Sequence, residues 1–230
     1  VDILPKESVM ERPSSILFLH GPWHSHWAYS STMLKLSELG FHCRSVSQNR
    51  NSFGSLEDEI ELINRNAMFP PPILVGHGLS GFVAQKMLES YALGGLVLIS
   101  PFPPNPKEAL ERLTPELLFS SKYPDRETVL NDIMLKEPDP TILISDTKLP
   151  KNCLNLEPLG EFLDVLLVGN ENDPVVLESD LEAFRTWHQI PKEDELMFKG
   201  NEGHLTMLDE EWDKTNGISD QIVEWIDLRF

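Results

Sequence analysis

Cysteine is scarce in this 230-residue chain: Cys43 and Cys153 are its only two, and no Asn-x-Ser/Thr acceptor occurs. Cys43 falls in an apparent strand and Cys153 in a loop, with no pattern pairing them, so a disulfide is not expected and a reducing, intracellular setting is. Basic residues are also few, 19 Lys and Arg against 37 Asp and Glu, for a formal charge of -18. Phosphate backbones and anionic membrane surfaces would repel such a chain, so no nucleic acid and no membrane partner is expected. Long apolar runs are missing as well. Nothing approaches the roughly 20 residues that cross a bilayer, and Val1 to Pro13 lack the basic-then-apolar layout of a secretory signal. The expectation is a soluble protein of the cytoplasm or an organelle. Val1 rather than Met stands first, which leaves room for a removed leader.

What is present is a chain 40% apolar and 24% charged, enough to bury a sizeable core as a single α/β domain over residues 1–230. Apolar runs of strand length alternate with amphipathic stretches of helix length, the pattern of stacked βαβ units, a mainly parallel sheet and helices on both faces. Strands are expected at Ile16–His20, Phe41–Ser47, Ile73–Gly76, Leu93–Ser100, Leu163–Val168 and Glu195–Phe198. Helices are expected at Trp27–Leu39, with Gly40 as its stop, and at Ser55–Met68, Leu79–Tyr91, Leu177–Gln189 and Ser219–Leu228. The carboxylates of Glu57, Asp58, Glu59 and Glu61 read as a solvated face.

After Ser100 the proline-rich run Pro101-Phe102-Pro103-Pro104-Asn105-Pro106 stops regular structure, and the rhythm is lost until about Phe162. An insertion of about 60 residues is too long for an ordinary loop, so residues 103–162 read as a small helical cap with helices at Lys107–Ser120 and Arg126–Lys136. Leu118, Phe119, Met134 and Leu135 could line a cavity beneath it. Their spacing fits ordinary packing equally well.

Short segments at strand ends then follow in a telling order. His20-Gly21 closes one strand, Gly76-His77-Gly78-Leu79-Ser80-Gly81 joins a strand to its helix, and Asn172-Asp173 and Gly203-His204 follow later strands. This arrangement resembles the α/β-hydrolase fold superfamily of serine hydrolases, from about Ile16 to Phe230, in which nucleophile, acid and histidine come in this order. The resemblance implies that His204 is the general base and Asp173 the acid that orients it. The motif G-x-S-x-G places the nucleophile at Gly78, where there is no side chain. Ser80 is no substitute, since it lies about 200 degrees around the helix from residue 78.

The resemblance also implies an oxyanion hole made by the N–H of Leu79 and that of the residue after His20-Gly21. That residue is Pro22, which has no N–H; Trp23 would serve only if the loop is shifted. His24, His26 and His77 are expected to line the pocket. The spacing of His20, His24 and His26 invites a metal reading, but no carboxylate or cysteine accompanies them, and neither metal nor cofactor is expected. Trp23 or Trp27 is expected to pack under the following helix. Three functions remain open. One is a pseudoenzyme binding a small, partly apolar molecule or a protein partner. The second is a serine hydrolase of esters, thioesters or amides whose nucleophile has been replaced by glycine. The third is lyase-like or water-activating chemistry by the His204/Asp173 pair.

Overall fold

A computed structural model describes residues 1–5, 14–21, 24–46, 56–66, 71–89, 91–118, 127, 158–159, 163–201 and 203–230. Its strands are β1 (Asp2–Ile3), β2 (Ser15–Leu19), β3 (His42–Val46), β4 (Ile73–His77), β5 (Gly95–Ile99), β6 (Val165–Asn170) and β7 (Glu195–Phe198). The helices are α1 (Ser30–Glu38), α2 (Leu56–Asn66), α3 (Leu79–Leu88), α4 (Lys107–Arg112), α5 (Pro115–Leu118), α6 (Glu178–His188) and α7 (Ile218–Arg229). The strands form one seven-stranded sheet in the order β1-β3-β2-β4-β5-β6-β7. All neighbours are parallel except β1, which runs antiparallel to β3.

Every residue of β2, β4, β5 and β6 is buried. Their apolar runs are continuous rather than alternating because a parallel sheet is covered on both faces by its crossover helices. The connection from β2 to β3 moves toward one edge of the sheet, whereas those from β3 to β4 and onward move toward the other. Right-handed crossovers therefore send the intervening helices to opposite faces. In keeping with this, α1 packs on α7, and α2 packs on α3. The reversal of direction falls between β2 and β4, and the crevice beyond their carboxyl ends is where such a sheet offers a site.

Local chemistry explains several element ends. Gly40 takes φ 100 after α1, and the N–H groups of Gly40 and Phe41 return to the carbonyls of Ser37 and Leu36 at 3.2 and 3.1 Å. This Schellman closure uses Phe41, so β3 begins at His42 and not at Phe41. Strand β6 runs on to Asn170, past the expected end at Val168, because Gly169 and Asn170 pair with Met197 and Phe198. The single helix expected over Lys107–Ser120 is two short ones, α4 and α5. Pro115 opens the second, since a residue without an N–H starts a helix more readily than it continues one. Trp27 does not pack under α1. It is 40% exposed, whereas Tyr29 is fully buried with its hydroxyl donating to the Leu19 carbonyl at 3.1 Å. Trp23 and the expected helix Arg126–Lys136 lie outside the described residues, as do the side chains of Leu118, Phe119, Met134 and Leu135.

Among the described residues no helix is long and apolar enough to cross a membrane. Cys43 is a buried free thiol, pushed by desolvation to a pKa of about 12, which leaves it unreactive.

Candidate active site

The turn between β4 and α3 places Gly78 at φ 55 and ψ -120, a conformation that strains any residue with a Cβ. Packing holds the turn there. A Cβ on Gly76 would stand 2.9 Å from the Ser80 carbonyl oxygen and 3.0 Å from Gly81 N, so α3 can approach β4 only because residue 76 is glycine. The Gly78 N–H donates to Ile99 O at 3.0 Å, and the Gly78 carbonyl accepts from Phe102 N–H at 3.2 Å, so both sides of the turn are tied to the end of β5. Ser80 is engaged elsewhere, its hydroxyl donating to the His20 carbonyl at 2.6 Å. Leu79 begins α3, so its N–H has no acceptor inside the helix.

Asp173 follows β6 and is 3% exposed; its Oδ1 accepts from the N–H groups of Val175 and Val176 at 2.8 and 3.0 Å. His204 is 2% exposed, and its Nδ1 faces both carboxylate oxygens of Asp173 at 3.0 and 3.2 Å. A carboxylate can only accept, which assigns the Nδ1 proton to His204 and leaves its Nε2 pointing at the turn. There it comes very close: an ideal Cβ built on Gly78 would lie 2.7 Å from His204 Nε2 and 3.7 Å from Phe102 Cε1. The imidazole occupies space that a side chain at residue 78 would need.

Residues 16–216 match the model of the alpha/beta hydrolase family. The chain belongs to that family. Among solved structures the fold is similar to the monoacylglycerol lipase of Paleococcus ferrophilus, with TM-score 0.66 and 16% identity over 100% of this chain and 98% of that one. It is also similar to a thermophilic esterase from Thermogutta terrifontis, with TM-score 0.65 and 16% identity over 94% of this chain and 90% of that one. A meta-cleavage product hydrolase from Pseudomonas fluorescens aligns with TM-score 0.64 and 15% identity, over 99% and 93% of the two chains. No curated protein matches the sequence.

Around the Asp173–His204 pair the chain packs further imidazoles. The His77 ring lies 4.4 Å from that of His204, and the His24 ring lies 5.2 Å from His77 and 5.8 Å from His20. His77 is 1% exposed, so it backs the site rather than lining open space. Its Nε2–H donates to the His204 carbonyl at 2.9 Å, which places the proton on Nε2 and leaves Nδ1 buried without a partner. Burial holds the His77 pKa well below the usual histidine value, helped by the charges of His204 and His24 and opposed by the bond to His204 O, so the ring is neutral. A neutral ring here avoids a cation against His204.

His24 is buried too, its Nε2 accepting from Gly21 N–H at 3.0 Å. His26 is only half-buried and bonds its neighbour, Ser25 Oγ to His26 Nδ1 at 3.0 Å. The structure thus brings together Gly78, Leu79, Asp173, His204 and His77, with His24 behind them, and leaves His26 aside. Pro22 and Trp23 lie outside the described residues. Among the described residues, no three His, Cys, Asp or Glu side chains are placed to hold a metal ion.

Sequence reading missed Asn170 and Phe102. Asn170 Oδ1 accepts from Asn172 N–H and Gly200 N–H at 3.1 and 2.9 Å, while its Nδ2 donates to Asn201 O at 2.9 Å. It thereby joins the loop of Asp173 to the loop leading to His204. Phe102 is fully buried with its ring 5.9 Å from His204. An Asn that ends an apolar strand was a readable signal; the aromatic amid prolines was not.

His188 on α6 gives the chain an acid-sensitive point. Its Nδ1 accepts from Leu159 N–H at 3.1 Å, and burial lowers its pKa from 6.5 to about 4. The folded state therefore binds this proton less readily than the unfolded one, and its contribution is complete above pH 6.5 and lost as pH falls toward 4. At about 1.4 kcal/mol per unit, the loss is roughly 3 kcal/mol. Urea unfolding at pH 7 and pH 4.5 should show the parent losing more stability than His188→Gln; equal losses would contradict the assignment.

Proposed function

We propose that this alpha/beta hydrolase-family chain is a non-hydrolytic member that binds a small, partly apolar molecule, or a protein partner, in the crevice at Gly78. The observation that carries the reading is the close approach of His204 Nε2 to Gly78, 2.7 Å from where a Cβ would stand. Residue 78 supplies no oxygen for an acyl intermediate, and the His204 imidazole stands where a side chain at residue 78 would begin. Loss of a triad member removes several orders of magnitude in rate. Pro22, without an N–H, weakens the oxyanion hole expected beside Leu79, and one missing donor costs about a hundredfold to a thousandfold. The esterase and lipase similarities, with the fully buried Phe102 beside the crevice, support an acyl-like or other partly apolar ligand.

The test uses the parent chain and His204→Ala. A fluorophosphonate probe should label neither, and release of 4-nitrophenol from 4-nitrophenyl butyrate should be the same for both. Octanoate, as a partly apolar probe, should raise the Tm of the parent. Failure of octanoate and its shorter homologues to do so would favour the protein partner.

A second reading is supported by the retained bond between Asp173 and His204. With Nδ1–H held by the carboxylate, Nε2 is an acceptor able to take a proton from a substrate or from a water, giving lyase-like or weak hydrolytic chemistry without a covalent intermediate. Saturable turnover by the parent that vanishes in His204→Ala would establish this reading and displace the first.

A further inference from the structure

We propose that Arg112, on α4, is a positioning residue for the Asp173–His204 pair and acts through the Val175–Val176 peptide. Arg112 is half-buried and pairs with Asp180 on α6, which by itself is an ordinary ion pair. Its Nε–H does something the ion pair does not require: it donates to the Val175 carbonyl oxygen at 2.7 Å. That carbonyl belongs to the same peptide group as the Val176 N–H, and the Val176 N–H donates to Asp173 Oδ1 at 3.0 Å. The carboxylate in turn accepts from His204 Nδ1–H. A continuous chain of donors therefore runs from guanidinium to peptide, from peptide to carboxylate, and from imidazole back to carboxylate.

Two physical consequences follow. A cation donating to a carbonyl polarises the amide, and polarised chains strengthen each link by something like 10–30% per bond. The Val176 N–H becomes a better donor to Asp173. The peptide plane is also fixed at both ends, so the carboxylate is held at the angle that keeps both its oxygens within 3.2 Å of His204 Nδ1. Asp180 aims the guanidinium and, through the same carboxylate, accepts from Leu177 N–H at 3.0 Å, so the start of α6 is part of the frame.

The segment after β5 also holds the other half of the pair. His204 N–H donates to the carbonyl oxygen of Leu117, in α5, at 2.9 Å. The short helices α4 and α5 thus grip the acid loop by a side chain and the histidine loop by a backbone oxygen. A ligand that displaced α4 or α5 would disturb Asp173 and His204 without touching either. The proposal rests on the pair's geometry alone and holds whether the crevice binds, catalyses or does neither.

Proton NMR of the resting chain tests it. The parent should show a low-field resonance from His204 Nδ1–H, assigned by its loss in His204→Gln, and a Val176 amide proton shifted downfield by its carboxylate acceptor. In Arg112→Met, which keeps the apolar stem and removes the donors, the low-field resonance should move upfield or be lost to exchange, and the Val176 amide should move upfield with it. Arg112→Lys, a charged point donor without the forked geometry, should restore only part of the shift. Both resonances unchanged in a cooperatively folded Arg112→Met chain would overturn the proposal, as would their absence from the parent. If Arg112→Met does not fold, Asp180→Asn leaves the guanidinium in place but poorly aimed; a smaller shift in the same direction supports the proposal and no shift overturns it. No turnover is read, so this outcome is separate from the test of ligand binding.

Discussion

Gly78→Ser should not produce an esterase. Backbone at φ 55 strains a serine there by roughly 1–3 kcal/mol. Its Cβ would also lie 2.7 Å from His204 Nε2, so the imidazole must shift, and a shift of the ring acts on the bond its Nδ1 makes to Asp173 at 3.0 Å. The hydroxyl therefore arrives together with a disturbed base. The expected result is a chain less stable to urea than the parent, with no burst of 4-nitrophenol from 4-nitrophenyl butyrate and no fluorophosphonate label. Gly78→Ala should lose about the same stability, since strain and contact come from the Cβ and not from the oxygen. A burst from Gly78→Ser would show that the remaining machinery is complete and would overturn the non-hydrolytic reading.

The largest loss of stability is expected from Asp173→Ala. The Asp173 carboxylate is fully enclosed and accepts from Val175 N–H, Val176 N–H and His204 Nδ1–H. Alanine would strand these donors where water cannot reach them, at about 1–3 kcal/mol each, so a loss of roughly 3–9 kcal/mol is expected in urea unfolding. Asp173→Asn keeps an acceptor oxygen for the peptide N–H groups and turns an NH2 toward His204, so it should lose about half as much. Equal losses in the two variants would mean that cavity formation, not the stranded donors, governs the site. Because few domains are stable by more than about 5–15 kcal/mol, Asp173→Ala is best compared at low temperature, where enough folded chain remains to measure.

The burial that makes Asp173 costly to remove also explains the imidazoles around it. His77, His24 and His20 stand close together in a dry setting, where their rings can be packed only if cations are avoided. The bond from His77 Nε2 to the His204 carbonyl turns this packing into support for the loop that carries His204. The residue before Gly78 in the β4–α3 turn thus braces the residue that approaches Gly78 from the opposite side.

Much of the fold could be read in advance because strands buried on both faces carry apolar runs that no surface segment shares. The runs that became β2, β4, β5 and β6 were visible for that reason, and Gly40 marked the end of α1 because the left-handed closure there favours glycine. β1 was not visible. Its two residues carry no periodicity, and what holds them is pairing with Arg44 and Cys43 and an ion pair between Asp2 and Arg44. The division of 107–118 into α4 and α5 was within reach of the sequence, since Pro115 announces it, whereas no local signal marked Trp27 as exposed and Tyr29 as buried.

The sequence by itself determined the family and the order of Gly78, Asp173 and His204 along the chain, since each is a matter of residue type at a strand end. Only the tertiary structure decided how closely His204 approaches Gly78, that His77 supports the His204 loop, that Ser80 is bound to His20, and that Arg112 reaches the peptide behind Asp173. Most of these contacts join segments far apart along the chain. Their distances follow from how the sheet reverses between β2 and β4 and how the side chains pack there, and no short stretch of sequence encodes that.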